Sequence, residues 1–392
     1  MRHSFYLAWR YLQFHKGKTA VLVTVLTLIT YLPLAVQMLV RGSVTHMLAR
    51  AQSTPLVIGQ KGSALDRVMH ALYFASALPA TTSMAEVERV DNSGLAYAIP
   101  IYQRFHARGY PIVGTTLDYL AYRHLEIARG RSLAVLGECL LGATVGAELG
   151  LRPGDTLVST PEHLFDLAGT YPLKMHVVGV LQATHTPDDR SIFVDVKTAW
   201  IIAGLGHGHE DVARAVDPQV RLEQRNNHVV ASAKLEQYIE ITPENIDTFH
   251  FHGDITRLPL TAILAVPADH KSGVLLRGRY MEAASPTQIV MPTAVIERLM
   301  RHIFKIKRIF EALFAVVSVV TLLAVVLVMA LSWRLRQAEI NTMFKLGCSR
   351  RKIAELVAAE LSLILGISLS LTAGLTVGTV YRQADMLQRL LI

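Results

Sequence analysis

Cysteine is almost absent from this chain: there are two in 392 residues, Cys139 and Cys348. So few cannot build a disulfide framework. Acidic residues are missing from the first 18 positions, which carry Arg2, Arg10, Lys16 and Lys18. A nucleotide-hydrolysing loop is missing too: Gly17-Lys18-Thr19 has the tail of one, but Leu12 stands where its first glycine belongs and an apolar run follows. The chain has no ATP site of its own. No nucleophile elbow, His-Glu-x-x-His string or persuasive pair of acids occurs, so a membrane-anchored enzyme finds no support.

Long apolar runs are what the chain has instead. Thr19 to Val40 is broken only by Pro33, Gln37 and hydroxyls; Ile309 to Trp333 by Glu311 and hydroxyls; Ile353 to Val380 by Glu355, Glu360 and hydroxyls. Each exceeds the roughly 20 residues that span a bilayer core of about 30 Å. Buried core helices of a soluble protein run shorter and keep a polar face. Val316 to Leu331 has none. The first run is too long for the apolar part of a cleaved signal and no small-x-small site follows it closely, so an uncleaved anchor is favoured.

Charge sets the orientation. The basic N-terminal flank and the stretch 334–352, with Arg334, Arg336, Lys345, Arg350, Arg351 and Lys352 against Glu339, belong in the cytoplasm by the positive-inside tendency. The expected organisation is a cytoplasmic amphipathic segment 1–18, transmembrane helices at 19–40, 308–333 and 353–380, a cytoplasmic loop 334–352, and a short tail 381–392. Residues 41–307 then lie outside the inner membrane, and Cys139 and Cys348 fall on opposite sides of it. The net charge of +8 is concentrated beside the membrane, where anionic lipid accounts for it. Nucleic acid is discounted as a partner.

The outer segment exceeds 250 residues, enough for its own core. Val57–Gly62, Ala96–Tyr102, Tyr110–Val113, Leu173–Val180, Ser191–Val194, His228–Ala233 and Leu260–Val266 read as strands, and Ser63–Phe74, Ser83–Val90 and Thr198–Ala203 as short helices. Gly142 to Asp155 reads as a helix over 143–149 closed by Gly150, with a Pro153-Gly154 turn into a strand; it lacks the βαβ setting of a dinucleotide site. Pro292 opens a helix that runs into the second span. The fold class is an α+β membrane protein with three transmembrane helices and a large extracytoplasmic α+β domain inserted between the first and second.

Three strings carry a family resemblance. Ala8-x-Arg10 with Lys16-Gly-Lys18, Val145-Gly-Ala-Glu-Leu-Gly-Leu-Arg-Pro-Gly-Asp155 and above all Glu339-Ile-x4-Lys345-Leu-Gly-Cys-Ser-Arg-Arg-Lys-Ile353 resemble MacB/FtsX-type (type VII) ABC transporter permeases of the bacterial inner membrane. The resemblance implies that the 334–352 loop docks on a separate ATPase subunit, which holds ATP and magnesium. It makes Met343, Phe344, Leu346 and Cys348 apolar contacts, Glu339, Arg350 and Arg351 polar ones, and Gly347 the stop of a short coupling helix. A second permease copy, a periplasmic lipoprotein or adaptor and membrane lipid are the other implied partners; Gly374-x3-Gly378 suits close helix packing in a homodimer. The family has four spans. Three are found here, and 381–392 is too short and too charged to cross.

Pro55 to Met69, Gly109 to Thr116 and Thr184 to Arg190 resemble a branch of these permeases associated with zinc-regulated operons. Histidine supports asking about zinc: His207-Gly-His209-Glu210-Asp211, His228 and His250-Phe-His252-Gly-Asp254 lie in the outer segment. His-x-His on an extended segment puts both imidazoles on one face, and nearby carboxylates complete or orient such a site. The plainer alternative is a polar loop with solvated histidines.

Overall fold

The computed structural model describes residues 2–75, 78–160, 172–208, 221–225, 228–231, 239–251, 253–281, 285–335, 337–345 and 347–391. The chain divides into two compact units, Met1–Thr45 with Arg298–Leu387, and His46–Glu297 with Gln388–Ile392.

The first unit is helical, as the apolar runs require. Among the described residues Lys16–Leu39 and Arg350–Tyr381 are long and apolar enough to cross a membrane, and Glu311–Leu327 is a shorter apolar helix. Their large side chains point outward: Leu323 is 64% exposed and Leu327 70%. Water would penalise that surface, and lipid would not. The helices Lys16–Gln52 and Arg350–Leu391 meet through hydroxyls, with Thr30 and Thr372 sharing a 2.8 Å hydrogen bond and the Ser368 hydroxyl 3.4 Å from the Val23 carbonyl. Leu12, Leu22, Val23 and Ile364 make a small apolar cluster beside them. Glu360 is buried there, 3.8 Å from Lys18 Nζ. A carboxylate within a span needs such a partner.

The second unit is built on one large mixed sheet. Its order is Ile239–Glu240, Leu173–Leu181, Glu138–Leu141, Ile192–Asp195, Tyr110–Thr115, Ala96–Ala107, Ala262–Pro267, Leu56–Gln60, Thr287–Val290, with Ile127–Gly130 and Thr156–Val158 also on Leu173–Leu181. The sequence places most of this path. Leu173–Leu181 alternates buried and half-buried along its whole length, the period-2 pattern of a strand with one covered face. Ala96–Ala107 turns into Tyr110–Thr115 through Arg108 and Gly109, both at positive φ (52° and 85°), the handedness that a two-residue hairpin loop prefers. Leu56–Gln60 lies between Ala262–Pro267 and Thr287–Val290, antiparallel to both. Short helices cover the sheet, among them Ala64–Tyr73, Ala143–Leu149 and Val196–Ile202.

Candidate functional site

The basic loop forms as its residues dictate. The helix Gln337–Lys345 ends at Gly347, whose φ of +92° is the left-handed stop that glycine adopts without a steric cost, and the Gly347 N–H reaches the Phe344 carbonyl at 3.0 Å. The next helix starts at once: the Lys352 N–H reaches the Ser349 carbonyl at 3.0 Å and its hydroxyl at 3.4 Å. Phe344 is 44% exposed, and the Arg350 guanidinium lies 5.9 Å above its ring. Arg350 and Arg351 are exposed and Cys348 is half-buried. Glu339 and Met343 lie on the Gln337–Lys345 helix, and Leu346 falls outside the described residues. The result is an exposed aromatic ring with a cation stacked on it.

The histidines are only partly brought together. Gly206–Gly208 pairs antiparallel with Phe249–Phe251, setting His207 opposite His250, with ring centroids 5.3 Å apart. The glycines explain which face they take: Cβ atoms at Gly206 and Gly208 would stand 2.6 and 2.8 Å from the rings of Phe251 and Phe249, so the aromatic side chains lie across the glycines and the imidazoles occupy the opposite face. Phe251 packs on Trp200, ring centroids 6.0 Å apart. His250 Nδ1 is 3.1 Å from the Thr248 carbonyl, and because a carbonyl only accepts, that bond makes Nδ1 the donor. Asp254 caps the turn Ile255–Arg257, accepting from the Thr256 N–H at 2.9 Å, and that bond holds its carboxyl below the usual range. His228 is on a separate strand, His228–Ala231. His209, Glu210, Asp211 and His252 lie outside the described residues. No group of three or more metal-ligating side chains occurs among the described residues.

A cleft of about 590 Å³ opens in the second unit, lined by Leu136, Val177, Ile241, Pro243 and Ile246 together with Arg131, Glu138 and His176. The polar groups pair with their neighbours: Arg131 Nη1 meets Glu138 at 2.9 Å, and His176 Nε2 meets Glu240 at 3.1 Å. What it offers a ligand is apolar wall.

One site escaped the reading of the sequence. Arg50, in the last turn of the Lys16–Gln52 helix, is 7% exposed and donates to both carboxylate oxygens of Asp188, at 2.6 and 2.9 Å. Its remaining donors meet the Leu72 carbonyl at 2.6 Å and the Tyr119 oxygen at 2.9 Å, and the Tyr119 hydroxyl donates back to Asp188 at 2.8 Å. Burial alone would raise the Asp188 carboxyl, but the Arg50 charge and its hydrogen bonds outweigh it and hold it below the usual range. Burial and the Asp188 charge push the Tyr119 phenol up to about 12. Asp188 belongs to the string Thr184 to Arg190. Its neighbour Asp189 folds that string by accepting from the backbone N–H groups of Thr184, at 2.9 Å, and of His185, at 2.7 Å. The string is an anchor for the end of a helix.

Comparison with known proteins fits this architecture. A family model described as MacB-like periplasmic core domain matches residues 20–234, more than half of the chain. No curated protein matches. Among solved structures the chain is similar to the periplasmic region of MacB from Actinobacillus actinomycetemcomitans, at 10% identity over 64% of this chain and 97% of that one with a TM-score of 0.34. It is also similar to the extracellular domain of the noncanonic ABC-type transporter YknZ from Gram-positive bacteria, at 9% identity over 60% of this chain and 99% of that one with a TM-score of 0.33. Through the family match the chain belongs to the MacB-like periplasmic core domain family, that of the MacB/FtsX-type transporter permeases.

Proposed function

We propose that this chain is the transmembrane subunit of a type VII ABC transporter, coupling ATP hydrolysis in a separate subunit to movements of its periplasmic domain and so driving export or extraction of a substrate from the periplasm or outer leaflet. The family is one of membrane proteins that carry no catalysis themselves and work with an ATPase partner. The observation that carries the reading is the surface at Phe344 and Arg350, an exposed ring under a guanidinium at the end of a short helix held between apolar helices. The basic flanks support a cytoplasmic position for this surface and the N-terminus at a bacterial inner membrane, where an ATPase can reach it. Gly374 and Gly378 support a second copy: among the described residues no atom beyond the local helix backbone comes within 4 Å of where a Cβ would stand at either, leaving a strip on which another helix can pack closely.

The test is co-purification with candidate ATPases followed by ATPase assays. Arg350→Glu is expected to cut ATPase association about tenfold, as loss of a central interface anchor does, and Phe344→Ala nearly as much. Unchanged association and stimulation in both variants would sink the coupling reading.

A second reading, a regulatory scaffold whose outer domain senses zinc or a periplasmic lipoprotein, rests on His207 facing His250. Two imidazoles make half of a tetrahedral set. Full-length protein dialysed against zinc is then expected to retain about one ion per chain, and His207→Ala with His250→Ala to release it. Zinc at buffer level in the wild type removes this reading.

A further inference from the structure

The helix Pro292–Leu335 carries Arg298, Arg301, Lys305, Lys307 and Arg308 just ahead of its apolar run, and the stretch 298–310 holds no acid. Glu297 and Glu311 bracket it. On the topology proposed above these cations lie on the outer side of the membrane, where the positive-inside tendency disfavours Lys and Arg. Orienting the chain is therefore not what they do.

With about 3.6 residues per turn, positions 298, 301, 302, 305 and 308 fall within about a third of the helix circumference. Arg298, Arg301, His302 and Arg308 are exposed there, and position 307 falls on the other side. The same third continues into the apolar run as Ile309, Val316, Val320 and Leu323, of which Ile309 is 69% and Val316 60% exposed. One strip of the helix is cationic above and apolar below. Its acid is turned elsewhere: Glu311, Phe314 and Ser318 line a cleft of about 260 Å³ with Pro33, Val36 and Gln37 of the Lys16–Gln52 helix.

We infer that this strip binds an anionic phospholipid, its phosphate headgroup held by Arg301 and Arg308 and an acyl chain laid along Ile309, Val316 and Val320. Guanidinium forks match phosphate oxygens. Helical side chains tilt toward the helix N-terminus, which lifts Arg308 out of the hydrocarbon beside Ile309 and into the headgroup layer. Arg298 stands about 15 Å further along the helix and adds attraction that salt screens. A free polyanion would engage the cations and leave the apolar strip unused, whereas a lipid uses both. The inference does not depend on the coupling proposed for Phe344 and Arg350.

The test uses full-length protein carrying Val316→Trp, reconstituted in phosphatidylcholine vesicles that hold a minor fraction of phosphatidylglycerol. Trp9 and Trp333 are replaced by Phe, and the Trp200 signal measured without the Val316→Trp change is subtracted. One lipid at a time is brominated midway along its acyl chains, and the two quenching curves give the affinity of this face for phosphatidylglycerol relative to phosphatidylcholine. A preference of about fivefold or more is expected at low salt, the worth of one or more cations at the surface, and it falls as salt is raised. Arg301→Gln with Arg308→Gln, both exposed positions, is expected to bring it below about twofold. Lys307→Gln, off the strip, is expected to leave it unchanged. A relative affinity near one in the parent, a preference that the double variant retains, or an equal fall from Lys307→Gln alone and Arg308→Gln alone overturns the site. Quenching by neither lipid also overturns it, because protein, a second copy included, then covers the face.

Discussion

Asp188→Asn is expected to lower the unfolding free energy by about 3–5 kcal/mol, because it leaves the Arg50 cation buried with its bidentate partner gone. Asn keeps the shape and one acceptor, so packing stays and charge goes. Arg50→Met is expected to cost a similar amount by stranding the carboxylate, which is 1% exposed. The double change Arg50→Met with Asp188→Asn removes both charges together, and its cost is expected to fall well below the sum of the singles. Denaturant titration in detergent measures this, with Trp9 and Trp333 replaced by Phe so that buried Trp200 reports alone. A loss under about 1 kcal/mol, the range of an exposed ion pair, would show that the pair does not hold the fold.

Acid gives the same comparison without a second substitution. The Asp188 carboxyl is held below its ordinary value, so its contribution is present above about pH 4 and is lost as pH falls through the lower folded value. Asn resembles the protonated acid and carries no such term. The difference between wild type and Asp188→Asn is therefore expected to be widest at neutral pH and to narrow below pH 4. His70, held down near 4 by burial, loses its own contribution between about 6.5 and 4 in both proteins and cancels in the difference.

Local chemistry was the legible part of this chain. Gly150 is read as a helix stop from its place after the 143–149 run and Gly347 from the resemblance of its loop, and both sit at positive φ, +67° and +92°. The apolar runs became helices, and the alternation of Leu173–Leu181 became a strand. Glu138–Leu141 went unread: four residues beginning with an acid carry no period, and it is a strand because it sits between Leu173–Leu181 and Ile192–Asp195, both remote in sequence. The Arg50 anchor was hidden for the same reason, its partner being 138 residues away. His207 and His250 were noticed as members of separate local pairs, whereas what brings them together is a strand pairing that neither pair encodes. Thr184 to Arg190 was noticed as a string, yet nothing within it says that one aspartate folds the turn while the other holds a distant arginine.

Gly142→Ala is expected to cost about 3 kcal/mol, the upper end of the range for overpacking, although the backbone there is ordinary. Gly142 has φ −60° and ψ 155°, which any residue adopts, so conformational strain is not the reason. The obstacle is contact: a Cβ would stand 2.3 Å from the Asp188 carbonyl oxygen, 2.4 Å from that of Asp189 and 2.5 Å from the Asp189 carbonyl carbon. These are backbone atoms of the turn that presents Asp188 to Arg50, and the Gly142 N–H is tied to the Ser191 carbonyl at 2.9 Å, so neither side can withdraw. Gly150, at the other end of the same helix, is the control. Its φ is +67° and, among the described residues, nothing beyond the local backbone lies within 4 Å of its added Cβ, so Gly150→Ala meets only the backbone preference, about 1 kcal/mol. Because a methyl at 142 displaces the turn that carries Asp188, Gly142→Ala and Asp188→Asn are expected to be less than additive, whereas Gly150→Ala and Asp188→Asn are expected to add. The same Trp200 titration reads all of these, and equal costs at 142 and 150 would mean that the turn yields and that the anchor is not built against this glycine.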